Sequence, residues 1–341
     1  MAARAQSVRS PDPYVSALLN ELPSTSYHRG VDPLELLNHF FQTTDPLWMG
    51  SAECQRILQQ YTPQLALESS FLLHAMLAFS AYHIAASCSE QQRYKMAAAC
   101  HYSAALQSYR RAINDESVKA DALFACCMLL TLLSFKNLSS DQSNDDVSIG
   151  QKSFALDTVG IRFIGGPRIL ADAISQQSMI DQGIWKSLFR HCAERVVDCD
   201  DTIASSLSTS QAMVGLEAVC LNGEINGPYE TALASLRQLM QCYISERHKM
   251  VEFTFCFAIQ LDPRFLRLIE EAVPKALLVI CYWYALVMQV DQWWASRTAQ
   301  VEGIKLLRYL RDNVTRDSAL KALLDFPARL LNSQSSTTQA S

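Results

Sequence analysis

The segment from Phe71 to Ala86, FLLHAMLAFSAYHIAA, is apolar on almost every side when it is drawn as a helix. A helix without a polar face must be enclosed by other elements, because it would otherwise expose apolar surface to water. This run and the run from Ala276 to Val290 are shorter than the roughly 18 to 20 residues that a membrane span needs. We therefore predict a soluble helical protein with no membrane span, built around two buried helices.

The composition favours helix over strand throughout the chain. The 341 residues are 49% hydrophobic and 18% charged, and the 11 glycines and 11 prolines leave room for long uninterrupted elements. Alanine, leucine and glutamine are good helix formers. The sequence predicts an all-α fold, either a multi-helix bundle or an irregular α-superhelical domain.

The charge and the cysteines exclude several classes of protein. A net charge of −5 with scattered basic residues argues against direct binding to nucleic acid. The N-terminus has no apolar stretch of the kind found in secretory signals, so we expect an intracellular protein. No C-x2-C occurs, so the C-x2-C-x6-C half of a binuclear zinc cluster is not in this sequence. Six cysteines lie in apolar helical segments and are predicted to be buried free thiols: Cys88, Cys100, Cys126, Cys127, Cys220 and Cys281.

The chain is expected to form one domain in two halves. Residues 1–30 are predicted to be a flexible tail, 31–135 the first helical half, 136–152 a polar linker, 153–332 the second half and 333–341 a disordered tail. The first helix is predicted to start after Asp32, which caps it, with Pro33 at the first helical position and Glu35 at the third. This is a capping-box arrangement. Further helices are expected at 54–60, 63–87, 91–114, 118–135, 184–197, 229–244, 249–259, 274–295, 299–312 and 319–331, and none is assigned within 198–228. The 91–114 helix should bury the stripe Tyr94, Ala98, Tyr102, Ala105, Tyr109 and Ile113.

The metal-binding motifs of a class I terpene cyclase are present only in broken form. The run DCDDTIA supplies Asp198, Asp200 and Asp201 but ends on Ala204, and the NDxxS pattern that begins at Asn144 ends on Lys152 instead of glutamate. The two runs also occur in the wrong order. A solvated acidic loop explains them better.

No catalytic or metal-binding constellation emerges elsewhere. The chain lacks G-x-S-x-G, H-E-x-x-H and a phosphate-binding glycine loop. His74 and His83 are nine residues apart, which on one helix separates them by roughly 90 to 100° and prevents a shared metal site. We expect them to be packed or hydrogen-bonded core histidines, and we predict no metal and no cofactor.

The 274–295 helix concentrates aromatic side chains. Rings and a thioether there could line a cavity for a flat apolar ligand, or they could simply pack as core. The candidate ligand-binding residues are Trp283, Tyr284, Met288, Trp293 and Trp294, with Tyr282 nearby.

Several of these segments resemble one family. The 71–86 helix is similar to the opening helix of the fungal-specific regulatory domain that follows a binuclear zinc cluster in fungal transcription factors. Matching segments are LELLNHFFQTTDPLW, YKMAAACHYSAALQSYRRAI, DALFACCMLLTLLSF and PKALLVICYWYALVMQVDQWWASRTAQVEGIKLL. Together they look like the regulatory domain of sterol-uptake control regulators and of secondary-metabolite cluster regulators, over about residues 32–330.

The resemblance implies a function. It implies an all-helical effector or sensor domain of a nuclear transcription regulator, shuttling with the cytoplasm, whose partners are the transcription machinery or a DNA-binding regulator. It also implies control of a sterol-related or secondary-metabolite pathway through a hydrophobic ligand in a C-terminal helical pocket. The chain departs from the pattern at Ala295-Ser296-Arg297, where a glycine is expected after the tryptophan pair. The alternative from another class is a metal-independent cyclase of a polyketide or terpenoid.

Overall fold

The computed structural model describes residues 18, 30–43, 56–87, 91–115, 117–137, 183–186, 207–221, 227–290, 292–313 and 318–333. Every regular element in these residues is a helix, which confirms the predicted all-α class. The chain divides into two compact units: unit 1 comprises 1–44 and 56–129, and unit 2 comprises 45–55 and 130–341. The predicted halves and tails stay predictions, and most of the predicted linker, 138–152, lies outside the described residues.

Unit 1 is organised around the helix that the sequence singled out. Its elements are α1 (Pro33–Thr43), a π-helical turn (Ile57–Tyr61), α2 (Thr62–Leu67), α3 (Ser70–Ser87), α4 (Gln91–Ala112) and the part of α5 (Ala120–Asn137) up to Leu129. Helix α3 packs along α4 and also contacts α1 and α2. The Cys126 thiol donates to the Phe71 carbonyl oxygen at 3.7 Å, so α5 also meets α3.

Helix α3 is long and apolar enough, by length and composition alone, to cross a membrane. The run from Phe71 to Ala86 was judged too short, but the helix extends to 18 residues. Of its length, 67% is buried inside the protein. Burial on this scale is what a core helix shows, and it accounts for the missing polar face.

Three details of unit 1 correct the sequence predictions. The expected 63–87 helix is broken after Leu67, because Ser69 starts a new helix and its carbonyl oxygen accepts the Leu72 and Leu73 amides. Ile113 is 43% exposed, since α4 ends at Ala112 and the apolar stripe ends with it. Cys100 is exposed on α4 and is not a buried thiol.

The predicted start of α1 is half right. Asp32 Oδ1 accepts the Leu34 amide at 2.9 Å, as a helix cap should. Glu35 Oε1, however, accepts the Tyr94 hydroxyl at 2.5 Å and so bridges α1 to α4. The carboxylate that was expected to complete a capping box therefore holds two helices together.

Unit 2 surrounds one helix that is buried on all sides. Its elements are α6 (Leu207–Leu221), α7 (Glu230–Ser245), a 3-10 turn (Arg247–Lys249), α8 (Met250–Gln260), α9 (Pro263–Glu270), α10 (Pro274–Val287), α11 (Ser296–Asn313), α12 (Ser318–Leu323) and α13 (Asp325–Asn332), together with α5 from Leu130 onward. Helix α10 contacts α6, α7, α8, α9, α11 and α13. All of its residues from Ala276 to Val287 are buried, as predicted for a helix that is apolar all round.

The helix boundaries in unit 2 differ from the sequence predictions in four places. The 274–295 helix ends at Val287, where the Gln289 and Val290 amides turn back to Leu286 and Val287. The single helix expected at 319–331 is two short ones, α12 and α13. Helices α6 and α9 were not predicted, because α6 is rich in Ser, Thr and small residues and α9 is only eight residues long. The helix predicted at 184–197 lies almost wholly outside the described residues.

A tight turn connects α9 to α10. Asp262 caps α9 by accepting the Arg264 amide at 2.7 Å, and Pro263 takes the first helical position. At the other end Ala272 adopts a left-handed φ of 54°, while the Val273 amide reaches back to the Leu268 carbonyl oxygen. This is the Schellman arrangement with alanine where glycine is usual. Pro274 then begins α10 directly.

Candidate functional site

Three of the five candidate ligand-binding residues pack together in unit 2. Phe135, at the end of α5, lies 5.9 Å from Trp283, 6.2 Å from Tyr284 and 6.1 Å from Trp294, measured between ring centroids. Phe257 of α8 stacks on Trp283 at 5.5 Å with the ring planes 18° apart. We call these five residues, Phe135, Phe257, Trp283, Tyr284 and Trp294, the aromatic cluster.

The aromatic cluster is buried, and the Trp283 indole brings a polar atom into it. Trp283 is 2% exposed, and its indole Nε1 has no hydrogen-bond acceptor in the described part of the chain. A buried N–H that donates to nothing costs free energy, because it gave up a hydrogen bond to water. An oxygen placed at this nitrogen would supply the missing acceptor.

The other two candidate residues border the cluster differently. Met288 is 1% exposed and follows Tyr284 by one helical turn. Trp293 is only half-buried, in the turn between α10 and α11. Of the predicted set, Trp283, Tyr284 and Trp294 thus pack together. Phe135 and Phe257 belong to the same group and were not predicted.

Tyr282 faces away from the aromatic cluster, toward a cleft on the other side of α10. Its ring stacks on Phe326 at 5.1 Å and its hydroxyl donates to the Leu323 carbonyl oxygen at 2.8 Å. The cleft has a volume of about 500 Å³, within the range of small-molecule sites. Its lining is mostly small or apolar, with Asp325 and Arg329 at the rim: Gln211, Ala212, Gly215, Ala218, Val219, Tyr282, Ala319, Ala322, Leu323, Asp325, Phe326 and Arg329.

The buried thiols of unit 2 are unsuited to nucleophilic chemistry. Burial raises the pKa of Cys220 to about 12, and it raises the pKa of Cys281 to about 12 as well. Only a thiolate is an effective nucleophile, so both side chains act as small apolar groups at neutral pH. The acidic run at Asp198, Asp200 and Asp201 and the run from Asn144 to Lys152 lie outside the described residues.

In unit 1 the two histidines of α3 are paired with histidines of other helices. His74 Nδ1 lies 3.0 Å from His101 Nδ1 of α4. His83 Nδ1 lies 3.2 Å from His39 Nε2 of α1. Both were predicted to be packed or hydrogen-bonded, and the structure places them so. Their partners come from distant parts of the sequence.

The chain resembles known fungal proteins along nearly its whole length. It is 22% identical over 323 residues to Sterol uptake control protein 2 of Saccharomyces cerevisiae, an alignment that covers 92% of this chain and 34% of the relative. It is 24% identical over 263 residues to Sterol uptake control protein 2 of Candida albicans, covering 72% of this chain and 36% of the relative. The chain thus spans about a third of the length of these relatives.

A family model locates the resemblance more closely. It matches residues 35–196, a range that begins in the first turn of α1 and extends beyond α5. Of the segments that carried the resemblance, those at 71–86, 94–113 and 121–135 lie inside this range, that at 34–48 lies inside it except for its first residue, and that at 274–307 lies outside it. The similarity predicted from the sequence is therefore confirmed, and residues 35–196 match the fungal specific transcription factor domain.

Proposed function

We propose that this chain is the effector region of a fungal transcription regulator and that a hydrophobic ligand controls it. The observation that carries the regulatory part is the match of residues 35–196 to the fungal specific transcription factor domain. Similarity to two proteins named for the control of sterol uptake favours a sterol-related or secondary-metabolite pathway. Such a region acts in the nucleus, through a DNA-binding regulator or the transcription machinery, and it carries no catalytic role.

The ligand is assigned to the aromatic cluster together with Met288 and Trp293. The rings supply apolar area, and the Trp283 Nε1–H supplies a donor that lacks an acceptor among the described residues. A sterol combines a rigid apolar body with one hydroxyl oxygen, so it matches this combination in kind. Binding changes activity only if the ligand prefers one conformation of the helices over another.

Sterol binding is tested with the purified full chain. A hydroxysterol and the matching hydrocarbon without the oxygen are each titrated, with thermal unfolding and tryptophan fluorescence as readouts. A net contribution of about 1 kcal/mol for the Trp283 hydrogen bond gives the hydroxysterol about five-fold tighter binding. Trp283→Phe keeps a ring but removes the N–H, so it should bind both molecules equally well.

Two results would contradict the assignment. If neither sterols nor pathway metabolites stabilise the protein, the chain is not a sensor of hydrophobic ligands. If Ala322→Phe, which fills the cleft beside Tyr282, blocks binding while Trp283→Phe does not, the ligand occupies the cleft and not the aromatic cluster.

The regulatory part has its own experiment. Fused to an unrelated DNA-binding domain, the chain should change transcription of a reporter gene. Deletion of its gene should lower many transcripts at once. An enzyme would instead leave the transcripts intact and let one intermediate accumulate.

A further inference from the structure

The two histidine pairs of unit 1 differ in how the distance between the ring centroids relates to the distance between the ring nitrogens. A linear N–H···N hydrogen bond places the two ring centroids about 2.3 Å further apart than the nitrogens. His74 and His101 fit this rule, with nitrogens 3.0 Å and centroids 5.2 Å apart. His39 and His83 do not, since their nitrogens are 3.2 Å apart and their centroids only 5.0 Å. The His39–His83 hydrogen bond is therefore bent, and the axes of the two rings meet at an angle.

Convergence of this kind is what a shared cation requires. Two imidazoles bound to one tetrahedral Zn²⁺, each at about 2.05 Å, have nitrogens about 3.3 Å apart and centroids about 5.2 Å apart. The His39–His83 pair comes within about 0.2 Å of both values. With the nitrogens of His74 and His101 kept at their distance of 3.0 Å, a shared Zn²⁺ would place the two ring centroids about 4.7 Å apart. The observed centroid distance is 5.2 Å, so this pair does not fit a shared ion.

A carboxylate stands one helical turn from this pair. Glu35 precedes His39 by four residues on α1, so both side chains lie on the same face. Its Oε1 is held by the Tyr94 hydroxyl at 2.5 Å, and Arg93 donates to the same hydroxyl at 2.8 Å. In the side-chain positions seen across the described residues, no three His, Cys, Asp or Glu groups already converge on one point. Glu35 therefore reaches the pair only by turning its carboxylate from Tyr94.

His39 borders a space that is open to the outside. This open depression of about 600 Å³ is lined by the helix cap Asp32, by Glu35, Asn38, His39 and Gln42 of α1, and by the end of α3. This space admits water as a further ligand.

We propose that His39 Nε2 and His83 Nδ1, with the Glu35 carboxylate as third ligand, bind one Zn²⁺ that ties α1 to α3. Two histidines, a carboxylate and a water make an ordinary four-coordinate set for this ion. This site lies in unit 1 and is independent of the ligand proposed for the aromatic cluster.

The test uses the untagged full chain, first stripped with a chelator. Equilibrium dialysis against micromolar Zn²⁺ should recover one Zn²⁺ per chain, and Co²⁺ in its place should give the visible spectrum of a tetrahedral site. His39→Gln and His83→Gln should each weaken binding by at least about 100-fold, and Glu35→Gln by about 10-fold. His74→Gln is the matched control from the other histidine pair, and it should bind as the original chain does.

Three results would overturn the proposal. One is failure of the stripped chain to take up Zn²⁺. Another is equal loss of binding in His74→Gln and His83→Gln, which would indicate damage to the fold and not removal of a ligand. The last is full binding in the His39→Gln, His83→Gln double variant, which would place the metal at other residues. Because the variants lie on two different helices, misfolding of one leaves the other informative.

Discussion

Phe135 should contribute more to the stability of unit 2 than any aliphatic residue of similar size in its place. Its side chain is 4% exposed and touches three other rings, those of Trp283, Tyr284 and Trp294. Phe135→Ala removes the ring and leaves a cavity, at a cost of about 3 to 5 kcal/mol. Phe135→Leu keeps most of the apolar volume but loses ring pairs that contribute about 0.5 to 1.5 kcal/mol each. We expect it to cost about 1 to 3 kcal/mol, because such contacts are not fully additive.

Urea unfolding followed by tryptophan fluorescence measures both changes in the free energy of unfolding. Val214→Ala is the control, since Val214 is 65% exposed and its truncation should alter stability by less than about 0.5 kcal/mol. The argument fails if Phe135→Leu unfolds at the same urea concentration as the original chain. It also fails if Val214→Ala costs as much as Phe135→Leu.

Two further predictions concern a helix cap and the thiols. Asp262→Ala should lower the free energy of unfolding by about 0.5 to 2 kcal/mol, because it removes the cap of α9. Asp262→Asn keeps an oxygen for the Arg264 amide, so it should lower the free energy of unfolding by less. Equal urea midpoints for the two variants would refute this. At pH 8, a thiol-alkylating reagent followed by mass spectrometry should label exposed Cys100 quickly, and Cys281 only after unfolding. Burial also raises the pKa of Cys281 to about 12, so almost no thiolate is present at that pH. Fast labelling of Cys281 in the folded protein at pH 8 would contradict the buried placement.

The long apolar helices could be predicted from the sequence because their pattern depends on nothing outside themselves. Helix α10 is buried on all sides, and its composition alone required that. Its end was misplaced because the turn after Val287 is also apolar and so does not interrupt the pattern. That turn is held by hydrogen bonds, such as that from the Ser296 hydroxyl to the Val290 carbonyl oxygen at 2.6 Å, which periodicity does not reveal.

The short and irregular elements were harder to predict. Helix α9 is marked only by its Asp262-Pro263 start, and its last turn uses Ala272 at a positive φ where a glycine would have signalled the end. Helix α6 begins with Ser, Thr and small residues, which are equally common in loops. In both cases contacts with other helices of unit 2 decide the structure.

In the candidate sites, too, residues of one helix could be predicted from the sequence, whereas their partners on other helices could not. The sequence identified the aromatic residues of α10 and the two histidines of α3. It did not identify Phe135 or Phe257 as neighbours of Trp283, or His39 and His101 as partners of the α3 histidines. Each of these contacts joins segments far apart in the chain, so spacing along one helix carries no information about them.

The enclosure of α10 bears on how genetic data for this protein should be interpreted. Almost any replacement between Ala276 and Val287 disturbs close packing, so it should reduce the amount of folded protein in the cell. A screen for inactive alleles will therefore collect changes along this whole stretch, whatever the residues do in signalling. Alleles in which protein abundance is normal but the response is altered are the ones that report on recognition.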